Sequence, residues 1–497
     1  MCGIFGMLAE GSVAPAIYGG LTTLQHRGQD AAGILTCDLQ HVAQRQGRGL
    51  VREVFREASL RRLTGNLGIG HVRYPTAGSF AENETQPFFV NSPFGIGLVH
   101  NGNLTNLQKL RQLLVQREGR HLNTPSDSEV LLNVFARALQ QQFPAGFRNR
   151  KNLCTKLLFR AVTQTFALLE GSFAVAILIV GHGLLVLRDP LGLRPLALGE
   201  HKGKTRTEFA VASEDVALTV LGFTNITDVQ PGEAVWLPLQ GKVRRQLCAT
   251  PRPAACLFEY VYLARPDATI DAVSVYKARL RSGVALARQI KKARLKVDVV
   301  VPVPDTSRAA AIALAEELGV PYREGLIKNR YITRTFIMPT QSQRQRSIRQ
   351  KLIPLPLELK NRKVLLVDDS IVRGNTSRQI VDLVRCAGAQ KIYFAAAAPP
   401  IKFPCVYGVD MPSKSEFIAA GLSIDEVRSQ LKVESLFYLS LAELKSACEF
   451  KHARNRKFCT ACFKGHYPTR ISAEYLAELQ KLRAASRQGS DCQIALF

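Results

Sequence analysis

Lys363-Val364-Leu365-Leu366-Val367-Asp368-Asp369-Ser370-Ile371-Val372-Arg373-Gly374-Asn375-Thr376-Ser377 decides the fold of the second half of this chain. The run from Lys363 to Val367 is apolar without alternation, as in a central parallel strand covered on both faces. An amphipathic pattern follows Ser377, so the unit reads as strand, loop and helix. Gly374 permits close backbone approach, and the hydroxyls of Ser370, Thr376 and Ser377 with free N–H groups at the helix start suit an anion. Arg373 adds charge to the same loop. The adjacent carboxylates Asp368 and Asp369 can hold ribose hydroxyls and help order Mg²⁺. Such a loop at the carboxyl end of a parallel strand is where open α/β sheets bind ligands.

Upstream, Val297–Ser307 repeats the design: a buried strand and then a Pro304-Asp305-Thr306-Ser307 turn. Between the two units lies a cationic stretch beginning Lys328-Asn329-Arg330, Gln/Arg-rich as far as Lys351. So many cations repel one another. Such a segment either orders over a polyanion or stays a solvated loop.

The first half, to about Pro253, has a different texture. Gly-rich apolar runs, Leu67–Val72, Gly95–His100, Phe173–Val180 and Leu184–Arg188, read as buried strands, and a stacked-sheet α+β domain is the natural architecture. Polar residues gather after them: Arg73, then Asn101-Gly102-Asn103, then Ser126-Asp127-Ser128-Glu129 at a helix start. The chain begins Met1-Cys2. With Met1 removed, Cys2 carries a thiol and a free α-amine, a nucleophile and its own base in one residue. Glutamine needs a cation for its α-carboxylate, an anion for its α-ammonium and donors for its oxyanion. Arg73, Asp127, and the Asn101 amide with the Gly102 N–H meet those needs.

The motifs MCGIFG, Leu24–Ile34, Gly68–Gly78, His100–Asn106 and Ser126–Glu129 resemble the class II, N-terminal-nucleophile glutamine amidotransferases. The resemblance implies a four-layer αββα sandwich with Cys2 as nucleophile, Arg73 and Asp127 anchoring glutamine, and Asn101 and Gly102 forming the oxyanion hole. Val364–Ser377 resembles the phosphoribosylpyrophosphate (PRPP) motif of type I phosphoribosyltransferases. It implies an α/β transferase domain in which Asp305, Thr306 and Ser307 form the pyrophosphate loop. It also puts Thr306 near Mg²⁺ with Asp368 and Asp369, and a mobile loop over PRPP contacting phosphate through Lys328 and Arg330. The order of the two domains is similar to the glutamine PRPP amidotransferase family, as are Cys256–Asp267, Arg188–Leu196 and Phe403–Pro412. The family resemblance implies synthesis of 5-phosphoribosylamine, the opening step of purine biosynthesis. It further implies a homotetramer and purine nucleotide feedback. The expected limits are a glutaminase domain at 2–253, a transferase domain at 254–445 and a C-terminal extension at 446–497.

The 11 cysteines are odd in number and no secretory signal precedes them, which argues against a disulfide framework. Cys459-Thr460-Ala461-Cys462 alone suggests zinc, redox chemistry or a cluster, and adding Cys256 and Cys405 still suits either zinc or [4Fe–4S]. The resemblance selects the cluster, because one branch of the family carries [4Fe–4S] on cysteines at these motif positions. Relatives in that branch commonly start with a propeptide, whereas this sequence starts at Met1-Cys2, so maturation here is expected to need only loss of Met1 and cluster insertion.

Composition narrows the rest. At 497 residues and 46% hydrophobic, the chain has ample core for two or three domains. No apolar run approaches ~18 residues, which excludes a membrane span, and a cytoplasmic protein is expected. The formal charge of +26 allows nucleic-acid binding, but no recognition motif accompanies it. A non-catalytic homologue that binds PRPP or purine nucleotides is the alternative, and the intact Cys2, Arg73, Asn101, Asp127, Asp368 and Asp369 argue against it.

Overall fold

The structure, a computed structural model, describes residues 2–74, 84–143, 153–329, 352–449 and 457–492. Arg330, the loop to residue 351, and Met1 lie outside the described residues.

The N-terminal half holds two large sheets. The first has seven strands: β1 (Gly3–Leu8), β2 (Ala31–Cys37), β3 (Val42–Arg48), β4 (Leu67–Arg73), β9 (Ala197–Lys202), β10 (Thr207–Ala212) and β11 (Thr224–Asp228). The second has six: β5 (Phe88–Val90), β6 (Ile96–Leu104), β7 (Gly171–Ile179), β8 (Gly183–Arg188), β12 (Glu233–Pro238) and β13 (Arg244–Leu247). Side chains alternate across each strand. On β1, Ile4 and Leu8 meet Val99, Ala176 and Val186 of the other sheet, while Phe5 and Met7 face the outer layer with Ile17 and Leu21 of the Ala14–Thr23 helix. The helices Asp127–Gln140 and Thr155–Leu168 cover the outer face of the second sheet. Helix, sheet, sheet, helix is the αββα sandwich expected above.

One local expectation fails. The residues Asn101-Gly102-Asn103 were expected just after a strand, yet β6 runs through them to Leu104, paired along its length with β7. Neighbouring main chain overrides the turn preference of Asn-Gly, since a long partner strand offers ladder bonds the isolated dipeptide lacks.

In the C-terminal half, β14 (Ala255–Cys256) leads into a short hairpin of β15 (Thr269–Ile270) and β16 (Val273–Ser274). The parallel sheet comprises β17 (Val299–Pro302), β20 (Lys363–Asp368), β21 (Lys391–Ala396) and β22 (Ser435–Tyr438), in that order. Helices Val275–Lys292 and Arg308–Leu318 pack on the face bearing Val300, Leu365 and Val367. Helices Asn375–Cys386 and Ile424–Leu431 cover the face bearing Val301, Val364 and Leu366. With both faces buried, β20 can be apolar throughout, which is why it was legible. A ribbon of β18 (Leu326–Lys328) and β19 (Leu352–Pro354) flanks the segment that is not described. Finally β23 (Phe458–Cys459) pairs in parallel with β14, returning the C-terminal segment to the transferase core.

Candidate active sites

Cys2 immediately precedes β1, whose start pairs with the end of β4 through Gly3 opposite Val72. The half-buried Cys2 thiol donates weakly to the Tyr74 carbonyl at 3.8 Å, and Arg27 Nε donates to the Cys2 carbonyl at 3.1 Å. Arg27 is itself buried between two carboxylates, hydrogen-bonded to Glu214 and 2.8 Å from Glu259 Oε1. Burial works against the charge of Glu214, but Arg27 and His26 outweigh it and hold that carboxyl down at about 2. The Cys2 backbone is therefore held by a buried Arg27–Glu214–Glu259 ion network.

The end of β6 carries the proposed oxyanion donors. Asn101 is 1% exposed and its Nδ2 has no hydrogen-bond partner among the described residues. A buried amide left unsatisfied in this way costs on the order of 1–3 kcal/mol, so the position favours an acceptor arriving from outside. Asp127 opens the Asp127–Gln140 helix, capped by Ser126, and accepts from the Leu104 N–H at 3.0 Å and the Ser128 hydroxyl at 3.2 Å. Arg73, the last residue of β4, pairs with the buried Glu84. On β4 the imidazole of His71, opposite Ile4, is fully buried, and burial followed by the charge of Arg73 holds it down at about 3, a neutral ring close to Cys2. Cys2, Arg73, Asn101, Gly102 and Asp127 thus come from strand ends and a helix start of facing sheets.

In the transferase half, Thr306, Ser307 and Asp369 meet around a small cavity of about 10 Å³ also lined by Arg279 and Ser282. The Pro304–Ser307 turn is braced from both sides: Lys328 Nζ lies 2.6 Å from Asp305 Oδ2 and Arg308 Nη1 lies 3.4 Å from Asp305 Oδ1. The Pro304–Asp305 peptide is cis. At the end of β20, burial and the mutual repulsion of the pair push Asp368 well up. Burial also raises Asp369 to about 6, with Arg279 and the Ser370 hydroxyl pulling the other way. Two acids held together at this cost are suited to a cation. Gly374 caps the Asn375–Cys386 helix at φ +75°, a conformation that favours glycine. Ser377 is buried under the loop, Thr376 is exposed, and Arg373 pairs with Glu416 at 3.1 Å.

The four motif cysteines converge from three segments. Cys256 lies directly opposite Cys459 in the β14–β23 pair. The Cys462 carbonyl accepts from the Lys402 and Phe403 N–H groups at 2.9 and 3.1 Å, which brings it to the segment of Cys405. All four are buried and free. Burial raises Cys462, and the other three thiols raise it further; Cys256 is pushed up to about 11. Among the described residues no three His, Cys, Asp or Glu side chains converge tightly enough for a single ion. The donor set, four buried thiols with Arg194 beside them, fits a cluster that would take all four as thiolates and offset their mutual repulsion in that form.

Sequence reading gave no role to Arg27, Glu84, Arg194, Glu214, Glu259 or Tyr475. Arg27 and Arg194 share Glu259 Oε1, at 2.8 and 3.2 Å, and Arg194 Nε reaches the Tyr407 carbonyl at 3.0 Å. A buried network therefore runs from the Cys2 backbone to the segment after Cys405. Arg27, Arg194 and Glu259 stand inside motifs quoted above, which was the only signal for them.

Residues 73–220 match the glutamine amidotransferase domain and residues 272–402 the phosphoribosyl transferase domain. The chain is 48% identical over 487 residues to the amidophosphoribosyltransferase of Pseudomonas aeruginosa, covering 97% of this chain and 96% of that protein. It is 48% identical to that of Escherichia coli, over 97% of this chain and 96% of the relative, and 43% to that of Saccharomyces cerevisiae, over 99% and 97%. Among solved structures it resembles the Bacillus subtilis glutamine PRPP amidotransferase complexed with ADP and GMP (TM-score 0.83, 36% identity, 95% of this chain and 98% of that one). It also resembles a structure of the allosteric regulatory enzyme of purine biosynthesis (TM-score 0.85, 36% identity, 98% and 99%).

Proposed function

The chain belongs to the amidophosphoribosyltransferase family, and from that premise we propose how its residues divide the work. The enzyme moves the amide nitrogen of glutamine to C1 of PRPP, giving 5-phosphoribosylamine, glutamate and pyrophosphate, the first committed step of purine biosynthesis. In the glutaminase half, residues 2–253, the free α-amine of Cys2 takes the thiol proton as sulfur attacks the amide carbon. The Asn101 amide and the Gly102 N–H receive the oxyanion. Arg73 turns from Glu84 to the α-carboxylate, and Asp127 holds the α-ammonium. Collapse expels ammonia and leaves a thioester that water cleaves to glutamate.

In the transferase half, residues 254–445, ammonia attacks C1 as the C1–pyrophosphate bond breaks. The transition state has oxocarbenium character, so positioning and neutralisation of pyrophosphate dominate. Asp305, Thr306, Ser307, Lys328 and Arg330 hold pyrophosphate; Ser370, Arg373, Gly374, Thr376 and Ser377 hold the 5-phosphate; Asp368 and Asp369 hold the ribose hydroxyls. Mg²⁺, held through Thr306, Asp368 and Asp369, supplies charge neutralisation when bound. Cys256, Cys405, Cys459 and Cys462 would hold a [4Fe–4S] cluster that pins the extension, residues 446–497, to the transferase core. We place the enzyme in the cytoplasm as a homotetramer; among the described residues no helix is long and apolar enough to cross a membrane. The ADP and GMP on the Bacillus subtilis relative support feedback by purine nucleotides.

The observation that carries the residue assignment is the buried, unsatisfied Asn101 amide on the strand facing β4, next to which Cys2 leads into β1. Its test is a pair of variants assayed with glutamine and with ammonium. Cys2→Ala is expected to lose glutamine-driven turnover and keep ammonium-driven turnover; Asp368→Asn is expected to impair both. Ammonium activity lost with Cys2→Ala, or retained with Asp368→Asn, contradicts the assignment.

A further inference from the structure

The oxyanion strand is held by the other half of the molecule. Asn103, two residues after Asn101, directs its side-chain amide away from the glutaminase: Nδ2 donates to the Val406 carbonyl at 3.0 Å and to the Tyr475 hydroxyl at 3.1 Å. Its backbone N–H bonds the Ser172 hydroxyl at 3.2 Å, and that hydroxyl donates to the Tyr407 carbonyl at 3.0 Å. The next residue, Gly408, stands so close that a Cβ there would lie 2.7 Å from the Gly102 carbonyl oxygen. Three successive residues of one half, 406–408, thus grip the residue that follows the proposed oxyanion pair, its partner strand and the pair's own glycine.

We infer that Asn103 is a positioning residue for glutamine cleavage, fixing the Asn101–Gly102 donors by tying the end of β6 to Val406 of the transferase half and Tyr475 of the C-terminal extension. The inference rests on the oxyanion assignment made above. It gives Tyr475 a role too. Burial, and beyond it the charge of Asp127, push its hydroxyl up although the Asn103 hydrogen bond opposes this, so Tyr475 stands near the proposed α-ammonium anchor as well. An oxyanion donor contributes only when it is in place before charge develops, and a displacement of about 1 Å can cost on the order of 100-fold. A strand end held by partners more than 300 residues away in sequence is a direct way for one half to set that geometry in the other.

The test compares two reactions of Cys2 in the full-length enzyme. Acylation by glutamine, measured in a single turnover, builds an oxyanion. Alkylation by iodoacetamide displaces iodide at a saturated carbon and builds none. Asn103→Ala is expected to slow acylation by about tenfold or more while KM for glutamine and the alkylation rate stay within about twofold. Tyr475→Phe, which keeps the ring and loses one acceptor, is expected to act in the same direction and more weakly, and the double variant should be no slower than Asn103→Ala. Equal loss in both reactions, or none in acylation, overturns the inference; if Asn103→Ala does not fold, Tyr475→Phe decides it by the same comparison. Asn101→Ala separates the two levels, with an expected acylation loss of about 100-fold. If Asn101→Ala slows acylation and neither other variant does, the positioning role is wrong. If Asn101→Ala does not, the oxyanion assignment falls and takes this inference with it.

Discussion

Around Cys2 the charges are matched by the protein itself: Arg27 lies between Glu214 and Glu259, and Arg194 shares Glu259. Around Asp368 and Asp369 the match is incomplete: burial raises both above their ordinary range, and the charge of Asp369 raises Asp368 further. One site is finished by folding; the other, on the assignment proposed above, is left for a cation and a polyanion to finish. The difference suits the chemistry. Cleavage of a neutral amide needs fixed donors, whereas transfer from a pyrophosphate ester needs charges that become satisfied only with substrate present.

The largest expected effect strikes the finished site. Arg27→Met leaves Glu214 and Glu259 buried without their main partner and should cost about 3–5 kcal/mol in denaturant unfolding, with glutamine-driven turnover lost. The pH dependence has a definite sign. Glu214 is depressed from 4.5 to about 2, so the stability it contributes is fully present above pH 4.5 and disappears as pH falls toward 2. The gap between wild type and Arg27→Met should close over that window; a gap that is constant with pH would break the comparison.

Next is the seam between the halves. Gly408 has φ +91° and an alanine Cβ would press on the Gly102 backbone, which cannot swing aside. Gly408→Ala is expected to lower glutamine-driven turnover by about tenfold or more and ammonium-driven turnover far less, as steady-state rates with the two nitrogen donors will show. Cys459→Ser should reduce iron content and visible absorbance in anaerobically purified protein and lower the melting temperature, by loosening β23 from β14. Unchanged iron would remove Cys459 from the ligand set.

The smallest effect concerns the unfinished site and runs against intuition. Asp369 rises from 3.8 to about 6 in the folded chain, so without Mg²⁺ the native state binds protons more tightly than the unfolded chain and loses stability as pH rises through that interval. Asp368→Asn removes the carboxyl that burial, and then the charge of Asp369, push well up. Although it impairs catalysis, it should raise the melting temperature of the metal-free protein at pH 7 by about 2–4 °C, with no gain below about pH 4. A variant that melts lower at pH 7 would mean the pair is already compensated.

The same contrast explains what could be read from the sequence. The PRPP loop is local: strand, acids, glycine and helix occupy consecutive positions, and the structure keeps them as β20, its loop and the Asn375–Cys386 helix. The proposed glutaminase site draws on Cys2, Arg73, Asn101 and Asp127, each legible only as a residue after a strand or before a helix. That rule misplaced Asn101–Asn103, because pairing with β7 carries β6 through them. The ties that hold the site were invisible. Arg27 to Glu259, Arg194 to Tyr407 and Asn103 to Val406 join segments hundreds of residues apart, and nothing in local composition says which buried charge will meet which. Cys256 opposite Cys459 is of the same kind.

The central claim is that Cys2, freed of Met1, attacks glutamine and feeds the transferase half. Acid quenching during turnover, followed by mass spectrometry of the N-terminal peptide, tests it most directly. The account predicts a peptide beginning at Cys2 and carrying a glutamyl thioester on that residue. Fully active enzyme with Met1 still attached, or the glutamyl group on another side chain, would contradict it.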